Sequence, residues 1–144
     1  MTSEGGHHAH YDALCCALPA HSATQVLAEV DGALANELSA IHYAHSITIN
    51  LAFECDAIEH PMDGMGFVVP AREGMSILAC SFSHNKFEGR TPEGYTLLRV
   101  FMGGSLRPED MERSDEELMA LALADLDRLL GVRGKPVLVA VARH

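Results

Sequence analysis

Residues 46–53, SITINLAF, put Ile47, Ile49, Leu51 and Phe53 on one face and Ser46, Thr48, Asn50 and Ala52 on the other. A period of two is the signature of a strand with one buried face, so the chain must supply a sheet and something to cover one side of it. Further along, HPMDGMGFVVPAREGMSILACSF reads as a glycine-rich entry, a strand at 66–69, a turn at 70–74 and a strand at 76–82. A loop rich in Gly, Pro and charge follows at 83–94, and YTLLRVFM (95–102) is the next strand, closed by Gly103 and Gly104. Three consecutive strands predict an antiparallel meander.

The cover comes from residues 114–131. Ser114 with Glu117 three residues later is a capping box, and Asp115 and Glu116 fall in the positive first turn. Leu118, Leu121, Ala122, Leu126, Leu129 and Leu130 make one apolar stripe at helical spacing, and Gly131 is placed to end the helix. Lys135-Pro136 leads into a last strand at 137–142. Toward the N-terminus, Val26, Leu27 and Val30, then Leu34, Leu38 and Ile41, recur at three and four, predicting two short helices with Asp31 capping the second. YDALCCAL (11–18), stopped by Pro19, is short and, but for Asp12, apolar throughout, and predicts a buried strand, preceded by a flexible polar end at 1–10. The predicted fold is α+β: an antiparallel or mixed sheet, one long amphipathic helix packed on it, and two short helices near the N-terminus. An apolar run at the start and a strand at the last residues both read as elements whose neighbours lie outside the chain.

At 144 residues the chain is long enough for one core, and 48% apolar with 21% charged residues argues against disorder. Twenty acidic against ten basic side chains give a formal charge of -10, and no Lys or Arg precedes Arg72. That balance excludes nucleic acid as an expected partner and disfavours an anionic membrane surface. There is no apolar run of spanning length and no signal-peptide pattern. Cys15, Cys16, Cys55 and Cys80 show no paired spacing, so reduced cysteines in a cytoplasmic protein are expected, with Cys15, Cys16 and Cys80 inside strands.

The residues display no self-contained catalytic constellation. His7, His8 and His10 sit in a polar end that offers no rigid scaffold for a metal, so no metal site is expected. No nucleophile elbow, phosphate loop or dinucleotide-binding glycine pattern is present. The acids at 109, 110, 112 and 115–117 read as charge near a helix start on a solvated face. Met65, Phe67, Val68, Leu78, Phe101 and Met102 lie beside glycines and either line a groove for a flat apolar ligand or belong to the core; spacing alone favours the core.

The segments ALPAHSATQVL (17–27), INLAF (49–53), DGMGFVVP (63–70), F-x-G-R-x-P-E-G (87–94), FMGG (101–104), SDEELMALALADLDRLLGV (114–132) and PVLVAVAR (136–143) resemble, in order and spacing, oxygen-dependent protoporphyrinogen oxidases of the flavin-containing amine oxidase superfamily. Such enzymes pass hydrogens from a porphyrinogen to FAD, which dioxygen reoxidises, and some bacterial members prefer coproporphyrinogen III. The resemblance implies that residues 11–144 are part of a substrate-binding domain. It implies that Met65, Val68, Leu78 and Phe101 pack against the tetrapyrrole, and that Ala17, Leu18 and Pro19 lie near the cofactor. It thereby favours the groove over the core for the first four.

The family usually has Phe where this chain has Met65, a softer wall. The family's dinucleotide fingerprint, its propionate-binding arginine region and its membrane-associating helical segment are not in this sequence. FAD is therefore expected only in the complete enzyme, with a flavin domain or partner chain supplying it, porphyrinogen as substrate, and self-association through unpartnered apolar surface. Part of an oxidase, a porphyrin-binding scaffold without redox chemistry, and a folded fragment without activity are the readings left open.

Overall fold

The computed structural model describes residues 9–144, and its contacts divide the chain into two compact units, up to Tyr43 and from Ala44 to His144. The expectation for the N-terminal end, with His7 and His8, falls largely outside the described residues. In the first unit, helix α1 (Ala20–Leu27) starts at Pro19, whose carbonyl accepts from the amides of Ser22 and Ala23 at 3.0 and 2.9 Å. Helix α2 (Gly32–Ser39) is capped as predicted: the Asp31 carboxylate accepts from Leu34 N–H at 2.9 Å. The buried residues are the small ones, Ala20, Ala23 and Ala35, whereas Val26, Val30, Leu34 and Ile41 are exposed. Small side chains let the two helix backbones approach, and the Thr24 hydroxyl donates to the Ala20 carbonyl of its own helix at 2.9 Å. Tyr43 closes the unit, its Oη accepting from Ala20 N–H at 2.8 Å and its ring meeting His21 edge-on at 5.4 Å.

Residues 11–18 are not a strand. They carry no regular structure, and Tyr11, Leu14 and Leu18 are exposed, as are Cys15 and Cys16. An apolar run becomes a strand only when a neighbour takes its backbone N–H and C=O groups, and no described strand pairs with it.

The second unit is a five-stranded antiparallel sheet with one long helix. Its elements are β1 (Ser46–Glu54), β2 (Gly66–Val68), β3 (Ala79–Phe82), a single turn of helix α3 (Ser83–Lys86), β4 (Tyr95–Gly103), α4 (Asp115–Leu130) and β5 (Leu138–Arg143). The strand order is β2-β3-β4-β1-β5. The predicted meander is β2-β3-β4, and β1 lies between β4 and β5, pairing from Ser46↔Gly103 to Glu54↔Tyr95 on one side and from Ile47↔Arg143 to Ala52↔Leu138 on the other.

The alternation in 46–53 decides what is inside. Ile47, Ile49, Leu51 and Phe53 are fully buried and join Leu98, Val100 and Met102 of β4, Cys80 and Phe82 of β3, and Leu118, Ala122, Leu126 and Leu130 of α4 in one core. Met102 and the half-buried Phe67 thus belong to the core, as spacing alone suggested. Helix α4 has both halves of its capping box, Glu117 N–H to Ser114 Oγ at 3.2 Å and Ser114 N–H to Glu117 Oε2 at 2.9 Å. It ends at Gly131 in the left-handed conformation (φ 63°), where a Cβ would also meet the Glu59 side chain at about 2.8 Å. Arg143 of β5 is ion-paired to Asp115 at the start of the helix, tying the last strand to its cover.

The predicted strand at 76–82 is shorter than its sequence suggests. Its first residues are fixed by the helix instead of a neighbouring strand: Asp125 Oδ2 accepts from Ser76 N–H at 2.7 Å and Ile77 N–H at 3.0 Å. Asp110, read as one of the solvated acids, is fully buried and ion-paired with Arg113 at 2.9 Å.

Candidate functional site on the open face of the sheet

With α4 occupying one face of the sheet, the other face is set by the strand register. One cross-strand row runs Val68, Ala79, Phe101, Thr48, Ala142; the next runs Gly66, Ser81, Arg99, Asn50, Ala140; a third runs Leu97, Ala52, Leu138. Small residues flank Phe101 in the first row and Ala52 is the middle of the third, while Arg99 and Asn50 put polar groups in the second, so the face is mostly small and apolar with one charged position. Such a surface offers van der Waals contact to a broad planar molecule. Residues 90–92 border it as well, and an open hollow of about 570 Å³ is lined by Ala52, Leu97, Leu138 and Ala140 together with Pro92 and Tyr95.

Val68 and Phe101 lie in one row, separated by Ala79. Met65 immediately precedes β2 and, with Val68 and Ala79, borders a second hollow of about 250 Å³ at the β2–β3 end. Met65 and Val68 are 63% and 78% exposed, so neither is core. Leu78 is not brought into this group. It lines a separate hollow with Val69, Pro70, Met75 and Leu106, and its Cδ1 lies where a Cβ on Gly104 would touch it. Ala17, Leu18 and Pro19 are exposed residues leading into α1 in the first unit.

Two features bring β2 against β3. Gly66 has φ 138°, and a Cβ there would stand 2.2 Å from the Cys80 carbonyl oxygen, so only glycine lets the strand come this close. Phe67 then turns inward and meets Phe82 edge-on at 6.0 Å. Cys80, opposite Phe67, is buried in this contact, and burial pushes its thiol up to about 12, keeping it neutral and unreactive. Among the described residues no group of three or more His, Cys, Asp or Glu side chains could hold a metal ion. No described helix is long and apolar enough to cross a membrane.

The residues the sequence reading passed over are those of the larger hollow: Arg90, Arg99, Asn50, Ala52, Leu97 and Leu138. Thr48, Asn50 and Ala52 form the polar half of an alternating strand, which reads as a solvated face. The available signal was Arg99, a charge interrupting an otherwise apolar strand.

The sequence profile of the flavin containing amine oxidoreductase family matches residues 1–143. The chain is 32% identical over 135 residues to protoporphyrinogen oxidase 2, chloroplastic/mitochondrial, of Arabidopsis thaliana, covering 90% of this chain and 27% of that protein. It is 26% identical over 132 residues to coproporphyrinogen III oxidase of Bacillus subtilis, covering 92% of this chain and 28% of the relative. A crystal structure from Exiguobacterium, of a protein provisionally assigned as a protoporphyrinogen oxidase, superposes with a TM-score of 0.67 at 28% identity, covering 88% of this chain and 27% of that one. The chain thus spans between a quarter and a third of the length of the curated relatives it matches here. With the family profile matching from residue 1 to residue 143, the chain belongs to the flavin-containing amine oxidoreductases.

Proposed function

We propose that this chain forms one wall of the tetrapyrrole pocket in a flavin-dependent protoporphyrinogen or coproporphyrinogen oxidase, with the open sheet face as the contact surface. The observation that carries the reading is the mostly small and apolar face opposite α4 with its hollow of about 570 Å³, a volume of the order that small-molecule pockets reach. On this reading Val68, Phe101 and Met65 pack against one side of the macrocycle, and Ala52, Leu97 and Leu138 against another. Leu78, which faces a different hollow, is assigned support of the β3 approach in place of direct contact.

A dinucleotide needs a free helix N-terminus behind a glycine-rich turn. In α1 the Ala20 N–H is taken by Tyr43, in α2 the Asp31 carboxylate caps the end, and in α4 three acids and a capping box fill the first turn. None of the described helices of eight residues or more fits the pyrophosphate of FAD. The flavin, which accepts the hydrogens of the porphyrinogen when bound, would be held by the remainder of the enzyme. For Ala17, Leu18 and Pro19 we propose contact with that flavin, by apolar packing only. The work of this chain is to orient the macrocycle and exclude water from its face.

The lack of a cradle also supports a second reading, a porphyrin-binding module without redox chemistry. The test is an absorbance spectrum of the purified chain after mixing with protoporphyrin IX and FAD and passing through gel filtration. A retained, shifted Soret band without flavin bands is expected, and Ala52→Trp, which fills the hollow, should abolish it while leaving the circular dichroism unchanged. Porphyrinogen turnover on adding a separately expressed flavin domain supports the oxidase reading, and its absence with porphyrin retained supports the second. No Soret change overturns both.

A further inference from the structure

The chain carries twice as many acids as bases, yet among the described residues only four of its ten cations are ion-paired. Arg72, Arg113, Arg133 and Arg143 are paired with Glu73, Asp110, Glu59 and Asp115. Among the six others, Arg99 and Arg90 are set apart by where they stand. Both border the hollow of about 570 Å³ on the open face, and neither is ion-paired with a described carboxylate. Each is held instead by a neutral group. Arg99 Nε donates to Asn50 Oδ1 at 3.0 Å, across the β4–β1 pair. The Arg90 guanidinium lies over the Phe87 ring, 5.1 Å from its centroid. Glu54, the acid at the end of β1, lines a separate hollow with Asp56 and Tyr95.

A guanidinium engaged through Nε by an amide is oriented but not neutralised, and its two terminal nitrogens remain as a fork suited to a carboxylate. An aromatic platform likewise restrains the plane of the group while leaving its edge free. An apolar floor lowers the local dielectric and strengthens any ion pair formed at its rim.

We propose that Arg99, oriented by Asn50, and Arg90, oriented by Phe87, bind carboxylate groups of the ligand while its apolar body lies over Ala52, Leu97 and Leu138. This rests on the pocket reading above and extends it, assigning to this segment recognition of the acid side chains of the tetrapyrrole as well as packing against its ring. Asn50 is a positioning residue in this arrangement: it fixes the fork and does not itself touch the carboxylate.

The test is titration of the purified 144-residue chain, in a non-ionic detergent, with protoporphyrin IX and with its dimethyl ester, which keeps the macrocycle and removes the negative charges. The free acid should bind more tightly than the ester, with an advantage that shrinks as sodium chloride is added. Arg99→Gln should weaken the acid about tenfold and leave the ester unchanged. Arg90→Gln should act in the same direction, Arg99→Lys should retain part of the advantage, and Asn50→Ala should lose part of it. Equal binding of acid and ester, or an unchanged acid-to-ester ratio in both glutamine variants, overturns the carboxylate assignment and leaves the apolar pocket standing. If neither porphyrin binds, the pocket reading falls and this one with it. Folding of every variant is checked by its thermal transition, and Arg99→Lys keeps the test decisive if the glutamine variant is unstable.

Discussion

Asp125 holds the chain ahead of β3 from the middle of α4, with one carboxylate oxygen taking two backbone amides. Asp125→Ala leaves both N–H groups of this partly buried turn without an acceptor, and we expect a loss of about 2 kcal/mol in urea denaturation. Asp125→Asn keeps an oxygen in place and should fall between the two. Cys80 provides a second test at this scale. Its thiol is raised from 9.0 to about 12 by burial. The unfolded chain therefore loses this proton first as pH rises, and stability should be unaffected below about pH 9 and decline toward pH 12. Cys80→Ala should flatten that alkaline decline in denaturation midpoints. Iodoacetamide should modify the exposed Cys15, Cys16 and Cys55 in the native protein and reach Cys80 only after denaturation, as read by mass spectrometry. Neither residue announced its role beforehand. Asp125 is a polar residue on a helix like any other until the loop it holds is known, and Cys80 was one of three thiols assigned to strands, of which two proved exposed.

Elements with local signals were legible, and those that depend on partners were not. The capping box of α4, the Asp31 cap of α2 and the alternation of β1 each state their structure within a few residues, and each formed as read. Residues 11–18 offer an apolar run without saying what it pairs with, and no described strand takes it up. The same limit applied to the site. Val68 and Phe101 were named as candidates, but that they share a row, and that Arg99 and Asn50 share the next, follows only from the register of strands far apart in the chain. Gly66 is where the register is most exposed to attack. Gly66→Ala places a Cβ against the Cys80 carbonyl, and since β2 is a three-residue edge strand, we expect it to detach while the rest of the sheet survives. Hydrogen exchange should show lost protection at residues 66–69 and little change at Ile49 or Val100.

Within the second unit, the consequential feature is that neither edge of the sheet has a further described strand beside it and that α4 covers one side only. Leu138 of β5 is 52% exposed, with Val137 and Val139 beside it similarly open, and an apolar edge strand is a template for pairing with another chain. The purified chain should therefore associate with rising concentration in sedimentation velocity, and Leu138→Lys should shift it toward monomer. A monodisperse wild-type monomer at high concentration would count against this.

The position of β5 also sets a timetable. Because β1 is an interior strand and one of its neighbours is formed by residues 138–143, the sheet cannot be completed during synthesis until those residues have left the ribosome. Up to that moment β1 has only β4 beside it, and the Arg143–Asp115 tie between sheet and helix has not formed. Folding of this segment is thus held open to its last strand, and a nascent chain arrested at Leu130 would display the pairing edge of β1 to whatever chaperone or neighbouring chain is nearest.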